Sequence, residues 1–227
     1  MMDQPGLDLR QHRDALDALG RANAVSRTAA AIWPAMRDAA RARGAHPLRA
    51  LDIACGGGDV LVSLARRGGR ESLGIEWTGW DVGPAAVDYA RTLAARSGLK
   101  DVRFEQADAL REPMPDGYDV VLCTLFLHHL TDEDAAALLR RMREAARDLV
   151  VVSDLRRTRL GALFAWGGCR LLSRSRVFHV DGMRSVAAAF TTDEARALAG
   201  RSNLTGARIV QVWPQRWLLV WRRPSPG

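Results

Sequence analysis

Cysteine is scarce, lysine is almost absent, and no apolar stretch is long. The three cysteines, Cys55, Cys123 and Cys169, are odd in number and lack paired spacing, so neither a disulfide framework nor a zinc or other metal site is expected. Cys55 and Cys123 fall at the ends of expected strands, where they read as small buried apolar residues. No apolar run reaches the roughly 18–20 residues a membrane span needs. The opening stretch MMDQPGLDLRQHRD has no apolar core of the kind a secretion signal carries, and a cytoplasmic location is expected. Internal repeats and low-complexity tracts are absent too. Lys100 is the lone lysine, so arginines carry the net charge of +7. They are scattered among acids along helical segments and accompanied by much alanine. That is the mark of a compositional bias, and nucleic acid is disfavoured as a partner.

What the chain does have is a sharp turn between a strand and a helix. Leu48–Ile53 reads as a short buried strand. Ala54-Cys55-Gly56-Gly57-Gly58-Asp59 follows, and Val60, Leu61, Leu64 and Ala65 then recur at helical spacing. Glycine allows positive φ and lets a ligand lie against the backbone, and the helix N-terminus offers unpaired N–H groups. A dinucleotide fingerprint would need a third glycine where Leu61 stands. A phosphate loop would need a lysine where Asp59-Val60 follows. Acids at both ends of the turn, Asp52 and Asp59, repel phosphate and suit a cationic ligand.

Further strands are expected at Ile75–Val82, Val102–Gln106, Tyr118–Phe126 and Leu149–Val152, with an antiparallel closing pair at Gly206–Trp213 and Arg216–Trp221. Alternation with helices predicts an α/β fold, a Rossmann-like, seven-stranded, mostly parallel sheet with helices on both faces. Asp81 ends the second strand and suits the two hydroxyls of a ribose, with Val82 beside it for an adenine ring; the alternative is that Asp81 or Gly83 caps the next helix. His128 and His129 fall beyond the carboxyl end of the fourth strand, where open α/β sheets hold their ligands. Thr191-Thr192-Asp193-Glu194 is a capping box. Residues 5–44 read as helical, with a break or a new first turn near Trp33 at Pro34, and the tail from Arg222 to Gly227 is expected to fray.

The string Asp52-x-Ala54-Cys55-Gly56-x-Gly58-Asp59 resembles the first motif of the class I S-adenosylmethionine methyltransferases, and YDVVLCTLFLHHL resembles their fourth. The resemblance covers roughly residues 50–155 by motif and extends to the small-molecule enzymes that act on quinones and phenolic polyketides. It implies S-adenosylmethionine as cofactor. It assigns Asp52, Ala54, Cys55, Gly56, Gly58, Asp81, Val82, Asp108, Ala109, Thr124 and Leu125 to the cofactor, with Asp108 and Ala109 at the adenine. Residues 1–46 would form a helical lid with Asn23, Ser26, Arg27 and Trp33 as pocket residues, ahead of a domain spanning 47–227. An insertion at about 155–190 would cap the acceptor through Arg157, Trp166 and His179. Its apolar stretch Leu160–Trp166 is expected to be a buried helix rather than one touching a membrane.

The quinone enzymes usually carry an Asn-Val pair where this chain has His128-His129. That difference favours O-methylation of a small aromatic or phenolic acceptor over C-methylation of a quinol. His128 is the first choice of base and His129 the second, with Asp154 and His179 as outside candidates. A nucleic-acid methyltransferase and a non-catalytic S-adenosylmethionine-binding protein are the rival classes, and a homodimer is left open.

Overall fold

Strand and helix alternate along the chain as the apolar pattern demands, and seven strands join in one sheet of order β3-β2-β1-β4-β5-β7-β6. The computed structural model describes residues 9–172 and 176–224. The strands are β1 (Leu48–Ile53), β2 (Ile75–Asp81), β3 (Val102–Gln106), β4 (Val120–Thr124), β5 (Leu149–Leu155), β6 (Arg208–Val212) and β7 (Arg216–Arg222). The first five run parallel; β7 is antiparallel to both β5 and β6. The helices are α1 (Leu9–Val25), α2 (Thr28–Arg43), α3 (Asp59–Arg70), α4 (Pro84–Arg96), α5 (Asp132–Ala145), α6 (Arg159–Leu172), α7 (Arg176–Ala188) and α8 (Thr192–Arg201).

The period-2 alternation of the strands divides the core in two. Leu51, Ile53, Val121 and Val150 face α5 and α8, where Leu138, Met142 and Leu198 meet them. Leu48, Ala50, Leu122 and Val151 face the other way, against Ile32 and Met36 of α2 and Leu61 and Leu64 of α3. Helices therefore cover both faces, and the central strand β4 is buried along its whole length. The capping box at α8 is formed as its sequence predicts: Thr191 N–H donates to Glu194 and Glu194 N–H donates back to Thr191 Oγ1.

Register brings the carboxyl ends of the parallel strands to one edge. Ile53 lies beside both Trp80 and Cys123, Asp81 beside Gln106, and Thr124 beside Ser153. The chain reverses its direction of winding between β1 and β4, and a crevice opens at such a switch point. Because β7 is antiparallel, its first residue reaches the same edge: Arg216 pairs with Leu155.

Two expectations need correction. The N-terminal helix does not break at Pro34, which sits inside α2. The break comes at Ser26-Arg27, where Arg27 turns left-handed (φ 53°) and Ser26 Oγ takes up the Ala22 carbonyl at 2.6 Å. Proline forfeits a single intrahelical N–H, and Ile32, Trp33 and Met36, all buried on the α2 face, hold the helix together across it. The second correction concerns α6, which is not a buried helix. Gly161 and Cys169 turn inward, while Leu160, Leu163, Phe164 and Leu171 form an exposed stripe at helical spacing. Cys169 Sγ occupies the place a Gly182 Cβ would take, so small residues let α6 and α7 pack closely and leave the large ones outside. Residues 1–8 of the expected lid, 173–175 of the expected cap and 225–227 of the expected frayed tail lie outside the described residues, as does the side chain of Phe178.

Candidate active site

The turn after β1 is shaped by three left-handed residues, Ala54 (φ 51°), Gly56 (φ 54°) and Gly58 (φ 73°). The glycines divide the work. A Cβ on Gly56 would meet nothing within 4 Å, so this is the open side, where a ligand can lie on the backbone. A Cβ on Gly58 would fall 2.6 Å from Phe104 Cζ and 2.9 Å from Ala90 Cβ, so its bare Cα admits core packing instead. Across the switch point Leu125 is also left-handed (φ 56°), and its N–H donates to Ser153 O at 2.9 Å. A left-handed non-glycine costs about 1–2 kcal/mol, and two of them face each other at the ends of adjacent strands. Thr124 is buried beside the second.

Asp81 ties the turn to the next helix. Its Oδ2 accepts from Gly56 N–H at 2.8 Å and its Oδ1 from Gly83 N–H at 2.9 Å. A carboxylate can accept more than two hydrogen bonds, so capping and ribose binding are compatible roles. Val82 beside it is exposed, a free apolar surface at the same edge. Asp108 accepts from Leu110 N–H at 2.8 Å in an Asx turn and faces Arg111 at 3.5 Å. Ala109 is buried and its carbonyl accepts from Arg141 at 2.6 Å.

Below the turn, Asp52 is 1% exposed, and neither carboxylate oxygen has a hydrogen-bond partner. Burial, then the charges of Asp59 and Asp81, push its pKa well above the usual carboxylate range. Asp59 is raised by burial as well, although Asn23 Nδ2 donates to it at 3.0 Å. Acidic groups clustered and buried in this way are costly, and they fit a ligand that brings positive charge. Cys55 and Cys123 thiols are both pushed up, chiefly by burial, which leaves them protonated and unsuited to act as nucleophiles. Helix α1 lies over this turn: Leu16 is 3.4 Å from the Cβ position of Gly57, and Asp59 is 3.6 Å from that of Gly20.

A 3-10 turn at Leu127–His129 follows Leu125. His128 is buried, and its Nδ1 lies 2.6 Å from Asp154 Oδ1. Asp154 Oδ2 accepts from the His128 main-chain N–H at 3.0 Å, so the carboxylate holds both ring and backbone. A carboxylate accepts, so in the neutral ring the proton sits on Nδ1 and the lone pair on Nε2. His129 is exposed, its ring centroid 4.1 Å from that of His128. Asp154, at the end of β5, thus orients His128. Among the described residues no cluster of three or more His, Cys, Asp or Glu could hold a metal, and no helix is long and apolar enough to cross a membrane.

The expected acceptor contacts fare unevenly. Trp33 is buried, but its Nε1 donates to Glu71 at 2.6 Å beyond the far end of α3. Twelve residues of helix, about 18 Å, separate that contact from the turn. Arg157 is turned outward onto Glu194. Trp166 is half exposed, with Arg170 stacked 4.5 Å above it. His179 is half buried on α7, the cap helix that touches the His128 turn. Ser26 is buried, 3.4 Å from Thr28 Oγ1, whereas Arg27 is exposed.

The structure adds one residue that the sequence pattern did not single out. Arg216 is 6% exposed and reaches Asn23 and Thr28 from β7.

Residues 50–148 match a family model described as a methyltransferase domain. The demethylmenaquinone methyltransferase of Deinococcus radiodurans is 38% identical over 95 residues, 41% of this chain and 37% of that protein. A ubiquinone biosynthesis O-methyltransferase of Pseudomonas fluorescens is 32% identical over 130 residues, 56% of this chain and 52% of its own length. The chain thus spans between about a third and a half of the length of the curated relatives it matches. Magnesium protoporphyrin IX methyltransferase from Synechocystis, solved with S-adenosylhomocysteine bound, shares the fold at a TM-score of 0.59 and 19% identity, over 98% of this chain and 91% of that one.

Proposed function

We propose, from the match of residues 50–148 to a methyltransferase-domain model, that the chain binds S-adenosylmethionine and methylates a hydroxyl of a small aromatic or phenolic acceptor. The observation that carries this reading is one edge of the sheet with two complementary halves. At the end of β1, Asp52 is buried with both oxygens unpartnered beneath the open side of Gly56. Across the switch point, His128 is held by Asp154 with Nε2 as its free basic atom. The first half suits a ligand with an ammonium and a sulfonium; the second suits a hydroxyl about to lose its proton.

The bound cofactor supplies an activated methyl group. The chain's own residues do the rest. Asp81 and Gly56 fix the turn on which the nucleoside would lie. Burial raises the pKa of both Asp52 and Asp59, and a cationic amino-acid end placed beside them would draw them into their charged forms. His128 Nε2 would accept the proton of an acceptor hydroxyl, and Asp154 would stabilise the imidazolium that results. Positioning in such a site is worth about 7–11 kcal/mol of the barrier. Helix α1, which lies over the turn at Leu16 and Gly20, would shield that site from water.

The cap supports a greasy acceptor. Helix α7 touches the His128 turn, and α6 packs on α7 with Leu160, Leu163 and Phe164 exposed. Phe164 meets Trp213, with ring centroids 5.7 Å apart, which extends the apolar surface to the β6–β7 turn. The quinone-type methyltransferases among the relatives fit an acceptor of this class.

Titration calorimetry with S-adenosylmethionine against a nicotinamide dinucleotide tests the cofactor. Incubation with a panel of phenols and quinols, followed for S-adenosylhomocysteine release, tests transfer. Binding of the nicotinamide dinucleotide alone would overturn the reading. Binding of S-adenosylmethionine without product from any hydroxylated acceptor would overturn the O-methylation.

A further inference from the structure

Arg216 carries a charge that the described residues do not neutralise. It is 6% exposed, and no carboxylate lies within 4 Å of it among the described residues. Its terminal nitrogens donate to neutral oxygens, one to Thr28 Oγ1 and the other to Asn23 Oδ1 at 3.2 Å, while Nε has no partner. Burial lowers its pKa to about 10, and the fields of Asp154 and Asp59 work against that fall, so it remains a cation at neutral pH. Neither acid is free to close on it: Asp154 is engaged by His128 and Asp59 by Asn23. A buried guanidinium in this state is costly unless an anion arrives from outside.

Its position indicates which anion. Arg216 begins β7 beside Leu155, at the carboxyl edge where the cofactor turn lies. Both its partners come from the α1–α2 segment over that turn. The Asn23 side chain spans the gap, since its Nδ2 donates to Asp59 while its Oδ1 accepts from Arg216. A single amide therefore separates a negative group from a positive one. An α-amino acid presents a matching pair, an ammonium and a carboxylate on one carbon. A guanidinium with unused donors is the side chain best matched to a carboxylate.

We propose that Arg216 binds the α-carboxylate of the methionine moiety of S-adenosylmethionine, with Asp52 and Asp59 serving its ammonium. The assignment rests on the cofactor reading above and gives it a specific anchor. A ligand held this way also joins the lid, through Asn23 and Thr28, to the last strand of the sheet.

Calorimetry on the full chain with three probes tests it: S-adenosylmethionine, its decarboxylated analogue and S-adenosylhomocysteine. The wild type is expected to bind the decarboxylated analogue on the order of 10²- to 10³-fold more weakly than S-adenosylmethionine, the scale of losing one partner of a buried charge pair. Arg216→Met should bind both equally, at the wild-type affinity for the decarboxylated compound. Arg216→Lys should recover part of the preference, and a thermal melt of each variant reports its folding. A wild type that does not distinguish the two compounds overturns the proposal without any variant. So does an Arg216→Met chain that loses both ligands by the same factor, or one that keeps its cofactor affinity and loses only an acceptor bearing a carboxylate. If the wild type binds none of the three, the cofactor reading itself fails and the anchor with it.

Discussion

His128 and Asp154 form a buried pair in which one carboxylate oxygen lies 2.6 Å from Nδ1 and the other accepts the main-chain N–H of His128 at 3.0 Å. The double contact fixes both the ring and its tautomer. Asp154→Asn should leave cofactor affinity unchanged but present a donor to Nδ1, reversing the tautomer and occupying Nε2 with a proton. A fall in kcat of about 10²- to 10⁴-fold is expected, as for loss of a general base, with His128→Ala in the same range. His129→Ala, on an exposed ring, should cost much less. The check is steady-state turnover beside calorimetry: if Asp154→Asn turns over at the wild-type rate, the pair has no part in proton transfer.

Asp52 makes a stability–function conflict that pH exposes. Burial and two neighbouring acids raise its pKa, so the native state holds a proton that the unfolded chain releases. Stability is therefore full below the ordinary carboxylate range and declines as pH rises toward the raised native value. Cofactor affinity should run the other way, growing as Asp52 ionises and falling on acidification. Asp52→Asn removes the ionisation that burial penalises, so the variant should not lose stability over the pH range in which the wild type does. The variant should melt higher than wild type at pH 8 and bind S-adenosylmethionine weakly. A lower melting temperature with intact binding would contradict the account.

The parts of the candidate site that were legible in the sequence are those built from contiguous residues. The glycine turn, Asp81 and the histidine pair each sit at a strand end, and a period-2 run followed by a turn signal is enough to locate a strand end. Arg216 was not legible because its partners are far away in sequence, 188 residues from Thr28 and 193 from Asn23. Only the antiparallel return of β7 brings them together. Trp33 misled for a related reason. Helical periodicity says which face is buried but not which end of a neighbouring helix it meets, and Trp33 meets the Glu71 end of α3. The exposed stripe of α6 was hidden by composition, since an apolar helix whose small residues face inward has the same hydropathy as one whose large residues do.

Arg157 should prove dispensable for acceptor binding. It is paired with Glu194, whose pKa is lowered first by the Thr191 N–H of the capping box and only in part by the guanidinium. The pair is exposed, and such pairs contribute about 0–1 kcal/mol. Arg157→Ala should leave KM and kcat within a factor of two and shift Tm by no more than ~2 °C. A tenfold rise in KM would place Arg157 at the acceptor after all.

Gly56 and Gly58 should respond to alanine in different ways, and the difference separates ligand approach from packing. Both have positive φ, so each substitution carries a backbone cost of about 1 kcal/mol or a little more. At Gly58 the new methyl would also strike Phe104 at 2.6 Å and Ala90 at 2.9 Å. Phe104 is hemmed in on its other side by Gly79, where a Cβ would likewise fall 2.6 Å from the ring. With nowhere to move, overpacking of this kind costs about 1–3 kcal/mol more. At Gly56 the methyl meets nothing in the protein, and what it crowds is the space above the turn. Gly58→Ala should thus lower Tm by ~4–16 °C, and Gly56→Ala by only a few degrees while weakening S-adenosylmethionine more strongly. Melting curves and calorimetry on the two variants, side by side, decide it: if Gly56→Ala binds the cofactor as wild type does, nothing lies over the open face of that turn.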